Sequence, residues 1–312
     1  MKEAITFWYG CNVLRHGDII RSCLDILRAL EFDALPVGGP DYCCGTVKDA
    51  NQTTAGGMAT RTVGRFNALA EGSGTQASAG GGTQASAGGG RGATARGRVV
   101  AWCPSCHAHM HDFIERTNDT QFTMTYLVDL IYAHREKLAP LLVHPVPLRV
   151  LVHKHVGFNE LVGVNRIVPE LLRMIPGLTV VEDDYLAPGY MCASLVAVPG
   201  AMEDMFGHTV AALQASGADA VVSIFHQCYR ELCGLEAQGV TQAYNYVQLL
   251  ARSMGLEYED EYKAWKKAGA GAAELLGEAR VAKVGVQFFE RALLPELKKR
   301  PVIAAPAKEP HA

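Results

Sequence analysis

The stretch that decides the fold is Val99–Met110, VVAWCPSCHAHM, because it joins a strand to a helix through a Cys-x-x-Cys turn. The apolar run Val99–Trp102 predicts a buried strand, and Cys103 and Cys106 follow where that strand ends. Residues Val221–Leu232, VVSIFHQCYREL, match this stretch 122 positions later. On both sides of these two stretches, short apolar runs alternate with amphipathic segments. This alternation predicts an α/β fold with largely parallel sheets.

The individual elements are predicted from the period of the apolar residues. The first helix, for example, carries Ile20, Leu24 and Leu27 on one apolar face. The predicted strands are Ile5–Tyr9, Ala34–Val37, Val99–Trp102, Arg149–Val152, Thr179–Val181 and Ala220–Phe225; the predicted helical segments are Val13–Phe32, Thr62–Ala70, Asn159–Ile175, Met202–Ser216 and Thr241–Met254.

A second match brings the two halves of the chain into one register. Residues 42–44, Tyr-Cys-Cys, correspond to residues 190–192, Tyr-Met-Cys, at an offset of 148, which exceeds the first offset by 26. Segment 72–97 has this length, repeats GTQASAGG and contains no apolar residue larger than alanine, so we expect a flexible insertion. The sequence thus predicts duplicated, pseudo-two-fold related half-domains, 1–145 and 146–300, with a flexible tail, 301–312.

Five cysteines of the first half follow predicted strands: Cys11, the adjacent pair Cys43 and Cys44, and the Cys103/Cys106 motif. Loops at the carboxyl edge of a parallel sheet converge, so the five thiols are expected to meet. A closed zinc site takes four ligands, whereas thiolate-rich sites suit iron–sulfur chemistry. The pattern therefore predicts an iron–sulfur cluster. Buried structural thiols, with or without a zinc ion, are the alternative.

Composition narrows the classes of function. The formal charge is -3 and no long basic block occurs, so a nucleic-acid partner is not expected. No apolar run reaches the about 18 residues of a membrane span, and the N-terminal run is too short for a signal peptide, so we expect a cytoplasmic protein. In a reducing compartment, nine cysteines point to metal or redox chemistry. No glycine fingerprint for a flavin or nucleotide follows a predicted strand.

The cysteine pattern resembles the cysteine-rich CCG domain of the heterodisulfide reductase B-subunit family. The family motif is a single cysteine, a vicinal pair and a Cys-x-x-Cys, here Cys11, Cys43-Cys44-Gly45 and Cys103-Pro-Ser-Cys106. Thirty-one residues separate Cys11 from the pair, and 58 separate the pair from Cys103, or 32 without segment 72–97. Both spacings are similar to those of the family, and the resemblance extends over about residues 2–254.

The resemblance implies a non-cubane 4Fe-4S cluster, one per chain, bound by Cys11, Cys43, Cys44, Cys103 and Cys106. It also implies an oxidoreductase component that is active only in complex and carries electrons to or from a thiol or disulfide in sulfur metabolism. Its partners would be a C-subunit-like ferredoxin protein and an A-subunit-like flavoprotein. A B-subunit-like protein of a sulfur-oxidising complex fits best. An iron–sulfur subunit of a succinate, glycolate or lactate dehydrogenase and a non-enzymatic zinc scaffold remain alternatives.

The second half departs from the family motif. The counterpart of Cys11 falls between His153 and Val156 by strand end, or at Asn159 by the fixed offset, and Met191 and Phe225 replace the counterparts of Cys43 and Cys103. A second identical cluster is therefore not expected. The strand ends could still bring together a second site suited to zinc or a 2Fe-2S centre, formed by His153, His155, Cys192, His226 and Cys228. The alternative is a degenerate second half that has no site and contributes only to packing.

Overall fold

The computed structural model describes residues 2–11, 15–45, 51–72, 96–157 and 163–303, without the side chains of residues 112 and 113. Residues 73–95 of the expected insertion and 304–312 of the expected tail lie outside the described residues. Residue contacts divide the chain into two units. Unit 1 consists of Met1–Arg15 and Ile20–Pro140, and unit 2 consists of His16–Ile19 and Leu141–Ala312.

Unit 1 contains a four-stranded, all-parallel sheet with the strand order β2-β1-β3-β4. Trp8 at the end of β1 pairs with Val37 on one side and with Ala101 on the other. The elements are β1 (Glu3–Trp8), α1 (Gly17–Ala29), β2 (Phe32–Val37), α2 (Gln52–Ala70), β3 (Arg98–Ala101), α3 (Pro104–His109), a π turn (Met110–Ile114), α4 (Glu115–Thr117), β4 (Thr123–Tyr126), α5 (Leu127–Ala133) and α6 (Arg135–Leu138).

One hydrophobic cluster of unit 1 packs between this sheet and α2. Trp8 and Phe66 are fully buried, and their rings meet edge to face at 5.1 Å. The Trp8 indole donates a hydrogen bond of 2.8 Å to the Tyr42 carbonyl, so the loop after β2 is anchored to the end of β1. The Thr62 hydroxyl donates another, also 2.8 Å long, to the carbonyl of Cys43. Two buried hydrogen bonds therefore hold the loop that carries the vicinal cysteine pair.

Unit 2 repeats this topology with the order β6-β5-β7-β8, again all parallel. His153 at the end of β5 pairs with Ser223 of β7, as Trp8 pairs with Ala101 in unit 1. The elements are β5 (Arg149–His153), α7 (Val164–Arg173), β6 (Thr179–Val180), α8 (Cys192–Leu195), α9 (Ala201–Ser216), β7 (Ala220–Ser223), α10 (His226–Ala237), β8 (Gln242–Asn245) and α11 (Tyr246–Ser253).

Further helices follow the sheet of unit 2. They are α12 (Glu261–Ala268), α13 (Ala272–Leu276), α14 (Glu278–Val284), α15 (Val286–Phe288), a π turn (Phe289–Leu293) and α16 (Leu294–Lys298). Within the described part of the chain, no helix combines the length and the apolarity that a membrane crossing requires.

The predicted fold class is confirmed: the chain forms two parallel sheets of strand–helix units, consistent with duplicated halves. Strands β4 and β8 were not predicted, and Thr241–Met254 was expected to be wholly helical. Its start instead forms β8, a four-residue edge strand too short for a clear period. The helix begins only after Asn245, whose side chain and that of Gln248 form a capping box.

In both sheets the second strand along the chain lies on one side of the first strand, and the third strand lies on its other side. The carboxyl ends of β1 and β3, and of β5 and β7, therefore flank the point at which the strand order reverses. Loops diverge there and leave a crevice in which ligands of open α/β sheets commonly bind. This is where the predicted site residues lie.

Candidate metal centres

In unit 2, four potential ligands meet at the carboxyl edge of the sheet: His153, His155, Cys192 and Cys228. All four side chains are buried, and one donor atom from each lies within 4.8 Å of the others. This group, called the His2Cys2 group below, could hold a metal ion.

Each ligand is placed by a different part of the repeated fold. His153 is the last residue of β5, and His155 extends that strand through a bridge to Ala187. Because alternate residues of an extended strand face the same side, both imidazoles point to one place. Cys192 starts α8 and Cys228 lies in the first turn of α10, with the Cys192 amide donating to the Cys228 sulfur at 3.3 Å.

Four of the six separations between donor atoms are close to those expected around one tetrahedral ion. The two Nε2 atoms of His153 and His155 are 3.1 Å apart, and the Cys192 sulfur lies 3.4 Å and 3.6 Å from them. The Cys228 sulfur lies 3.3 Å from Nε2 of His155. Zinc bond lengths imply separations of roughly 3.3–3.8 Å between tetrahedral ligands. A 2Fe-2S centre of the Rieske type binds its histidines and cysteines to different irons, so this close mixing of sulfur and nitrogen favours a single ion.

Hydrogen bonds on the far side of each imidazole use the proton of Nδ1, so Nε2 is the ring nitrogen that faces the other ligands. Nδ1 of His155 faces the Pro188 carbonyl at 2.9 Å, where it must act as a donor. The Thr209 hydroxyl donates to the Met205 carbonyl, so it accepts at 2.6 Å from Tyr185. The Tyr185 oxygen therefore accepts from Nδ1 of His153 at 3.1 Å. Metal-binding histidines generally have such partners.

The ionisation of the group also suits a cation. Burial raises the pKa of Cys228, but the hydrogen bond from Cys192 and the positive charge of His155 outweigh it, so the pKa of Cys228 falls well below its usual value. Burial and the bond to Cys228 raise the pKa of Cys192. Burial lowers the pKa of His153 and favours its neutral form. The group thus contains a thiolate and a neutral imidazole, the forms that coordinate metals.

The fifth predicted member of this site, His226, lies outside the His2Cys2 group. It begins α10, is buried, and packs edge to face against the His16 ring at 5.4 Å. Its position after a predicted strand placed His226 near the site, but the sequence does not determine where its side chain points. Reasoning from the sequence also missed Tyr185 and Thr209, which support His153 from distant positions and carry no motif.

In unit 1 the structure brings the five predicted cysteines into one group, called the five-thiol group below. Hydrogen bonds connect Cys11 to Cys43, Cys43 to Cys44, Cys44 to Cys106, and Cys106 to Cys103. Four of the side chains are buried, and Cys11 is partly exposed. The vicinal pair therefore lies beside the other three thiols.

Charge within the five-thiol group is unequally distributed. Hydrogen bonds from the Cys11 and Cys44 thiols lower the pKa of Cys43 to about 3. His109 acts in the same direction, since a positive imidazole favours the Cys43 thiolate. The bond to Cys43 raises the pKa of Cys11, and the bond to Cys103 raises that of Cys106. Without a metal, the thiols stabilise one thiolate at the expense of the others, because several adjacent negative charges repel.

The remaining cysteines, Cys23 and Cys233, are buried in helices α1 and α10.

Neither the protein-family models nor the curated proteins contain a match to this chain. Its class is therefore defined by fold and site alone. It is an α/β protein of two similar units, each with an all-parallel sheet. One unit carries a buried His2Cys2 group that could hold a metal ion.

Proposed function

We propose that the protein is the iron–sulfur subunit of a heterodisulfide-reductase-like complex, with a non-cubane 4Fe-4S cluster bound in unit 1. The observation that carries this proposal is the convergence of Cys11, Cys43, Cys44, Cys103 and Cys106 into one hydrogen-bonded group.

The composition of the five-thiol group favours several metal atoms over one. A single tetrahedral zinc uses four ligands, and a fifth thiolate would add uncompensated charge. Cys43 and Cys44 are adjacent in the chain yet both belong to the group, Cys43 beside Cys11 and Cys44 beside Cys106. Each of the two can therefore bind a different metal atom, as a multinuclear cluster requires.

The chemistry proposed at this site is electron transfer to or from sulfur. A bound cluster supplies one-electron steps. Reducing one disulfide to two thiols consumes two electrons and two protons, so a partner must deliver electrons twice; thiol oxidation is the reverse. By resemblance, the partners are a C-subunit-like ferredoxin protein and an A-subunit-like flavoprotein. Cys11, the partly exposed thiol of the five, marks the side of the group open to such exchange.

For unit 2 we propose a single zinc ion at the His2Cys2 group, because the donor set and its spacing match a closed structural zinc site. Such an ion would add to the stability of the folded unit, since its ligands come from separate segments. The same group supports a second candidate function, a non-enzymatic zinc scaffold in which the thiols of unit 1 carry no iron.

Metal analysis of the anaerobically purified chain tests both candidates. The proposal expects about four irons, about four acid-labile sulfides and about one zinc per chain. It also expects a paramagnetic resonance signal that changes on adding a thiol or an oxidant. Zinc without sulfide would refute the iron–sulfur function and support the scaffold.

A further inference from the structure

One equivalent position carries a side chain in unit 2 and none in unit 1. The matched stretches Val99–Met110 and Val221–Leu232 make Ala101 of β3 equivalent to Ser223 of β7. Trp8 pairs with Ala101, and His153 pairs with Ser223, so Trp8 and His153 are equivalent. Two residues further along each strand, Gly10 of unit 1 corresponds to His155 of unit 2.

Gly10 lies directly against the thiols of unit 1. A Cβ atom added there would lie 3.2 Å from Cβ of Cys103, 3.5 Å from the Cys106 sulfur and 3.8 Å from the Cys103 sulfur. Any side chain at this position would therefore start among the sulfur atoms of the five-thiol group. Gly10 also has a φ of +76°, which glycine adopts at no steric cost.

His155 shows where a side chain from the equivalent position goes in unit 2. Its Nε2 atom lies 3.3 Å from the Cys228 sulfur and 3.6 Å from the Cys192 sulfur, and the ring is fixed by its bond to Pro188. Cys228 and Cys192 are the counterparts of Cys106 and Cys44. The imidazole thus fills the space next to the two thiols that both units share.

We propose that this position selects the metal species: the absent side chain of Gly10 leaves room for a multinuclear cluster, and the imidazole of His155 restricts its site to one ion. The inference rests on the proposed function, because it assigns the two sites different metals. It adds a specificity-determining residue that is not itself a ligand in unit 1.

The test exchanges the residue of unit 1 for that of unit 2. Gly10→His is suitable because histidine is among the side chains that tolerate a left-handed φ. Gly10→Ala tests bulk without a new ligand. Gly217→Ala is the strain control, because Gly217 has a φ of +62° and open space around its Cβ position. All chains are purified anaerobically, and iron, sulfide and zinc are measured per chain. A second portion, stripped of metal, is titrated with Co²⁺.

We expect iron to fall from about four per chain in the parent and in Gly217→Ala to below about one in both Gly10 variants. The Gly10 variants should still bind Co²⁺ in unit 1, giving thiolate charge-transfer bands and about one ion beyond that of the His2Cys2 group. The far-ultraviolet circular dichroism of the variants should equal that of the parent.

Three results would overturn the inference. Parental iron in either Gly10 variant would show that the space is not needed. Loss of both iron and the additional Co²⁺ would show that the backbone, not the metal species, had been affected. A parent chain without iron would refute the proposed function itself, and the inference with it. Iron in the parent chain therefore tests the proposed function, and iron in the Gly10 variants tests this inference.

Discussion

Units 1 and 2 share one topology and differ in the side chains at the same sheet edge. Both place a thiol from the loop after the second strand beside a thiol from the turn after the third: Cys44 with Cys106, and Cys192 with Cys228. Around this common pair, unit 1 adds three thiols, whereas unit 2 adds two imidazoles. The shared strand order brings both groups to the same sheet edge, and a few positions determine which side chains meet there.

The two groups also differ in access and support. The His2Cys2 group is entirely buried, and a chain of hydrogen bonds through Tyr185 fixes His153. The five-thiol group includes the partly exposed Cys11. A buried, closed site suits a structural ion, and a partly open one suits exchange with a substrate or partner. If this division of roles holds, a substitution in one group leaves the metal of the other group in place.

The largest expected effect is loss of the cluster on substituting Cys43. In Cys43→Ala we expect iron and sulfide to fall from about four to below about one per chain, because Cys43 joins Cys11 to Cys44 in the group. Zinc in unit 2 should remain. Elemental analysis and paramagnetic resonance provide the measurement, and Cys23→Ala is the control for loss of a buried thiol outside the group. A parental signal in Cys43→Ala would contradict the proposed ligand set.

The reciprocal change should remove only the ion of unit 2. Losing a residue that only hydrogen-bonds to a metal ligand typically lowers metal affinity about 10- to 100-fold. Cys228→Ser removes a direct ligand, so we expect zinc affinity to fall by more than that. Iron should remain at the parental level. Competition with a chromogenic chelator measures the affinity, and Cys233→Ala on the same helix is the control. Equal zinc binding in Cys228→Ser and the parent would show that the His2Cys2 group is not the site.

Unit 2 should also respond to pH through Asp18, a buried acid beside Asp260. Burial and the charge of Asp260 raise the pKa of Asp18 to about 7 from an ordinary 3.8, although the hydrogen bond that Asp18 accepts from Gln248 opposes the shift. Because the raised pKa favours the neutral form in the folded state, the ionisation penalty is absent below pH about 4 and complete above about 7. The free energy of unfolding therefore falls as pH rises through this range.

Asp18→Asn should remove much of that dependence, because asparagine can accept the same bond from Gln248. At pH 8 the variant should be more stable than the parent by on the order of a few kcal/mol, and at pH 4 the two should be similar. Urea denaturation across this range is the measurement, with Glu257→Gln, at a 73% exposed site, as the control. Parallel curves for Asp18→Asn and the parent would exclude the effect.

The smallest effect is expected at Tyr185. Tyr185→Phe keeps the ring but leaves Nδ1 of His153 without its acceptor, so zinc affinity should fall about 10-fold, equal to about 1.4 kcal/mol. A shift of the Co²⁺ spectrum should accompany the loss, which a purely packing role would not produce. Tyr190→Phe, at a 57% exposed site, is the matched control. Unchanged affinity in Tyr185→Phe would mean that this hydrogen bond does not position the ligand.

Several features could be predicted from the sequence because they have a short period or a local motif. The alternation of apolar runs indicated the α/β class, and the placement of Cys11, Cys43, Cys44, Cys103 and Cys106 after strands indicated that they would meet. Strands β4 and β8 were missed because each has only four residues and lies at a sheet edge. The supports of His153 were missed because Tyr185 and Thr209 are 32 and 56 positions away from it.

The sequence alone determined the repeat, the parallel sheets and the pool of possible ligands, since these follow from residue type and spacing along the chain. Only the tertiary structure decided which candidates of unit 2 meet. His155 is directed at Cys228, whereas His226, two positions from that cysteine, packs against His16. The ladder register further identified Gly10 as the counterpart of His155. The reason is physical: position at a strand end brings residues to one edge, but a metal site depends on side-chain directions, which packing determines.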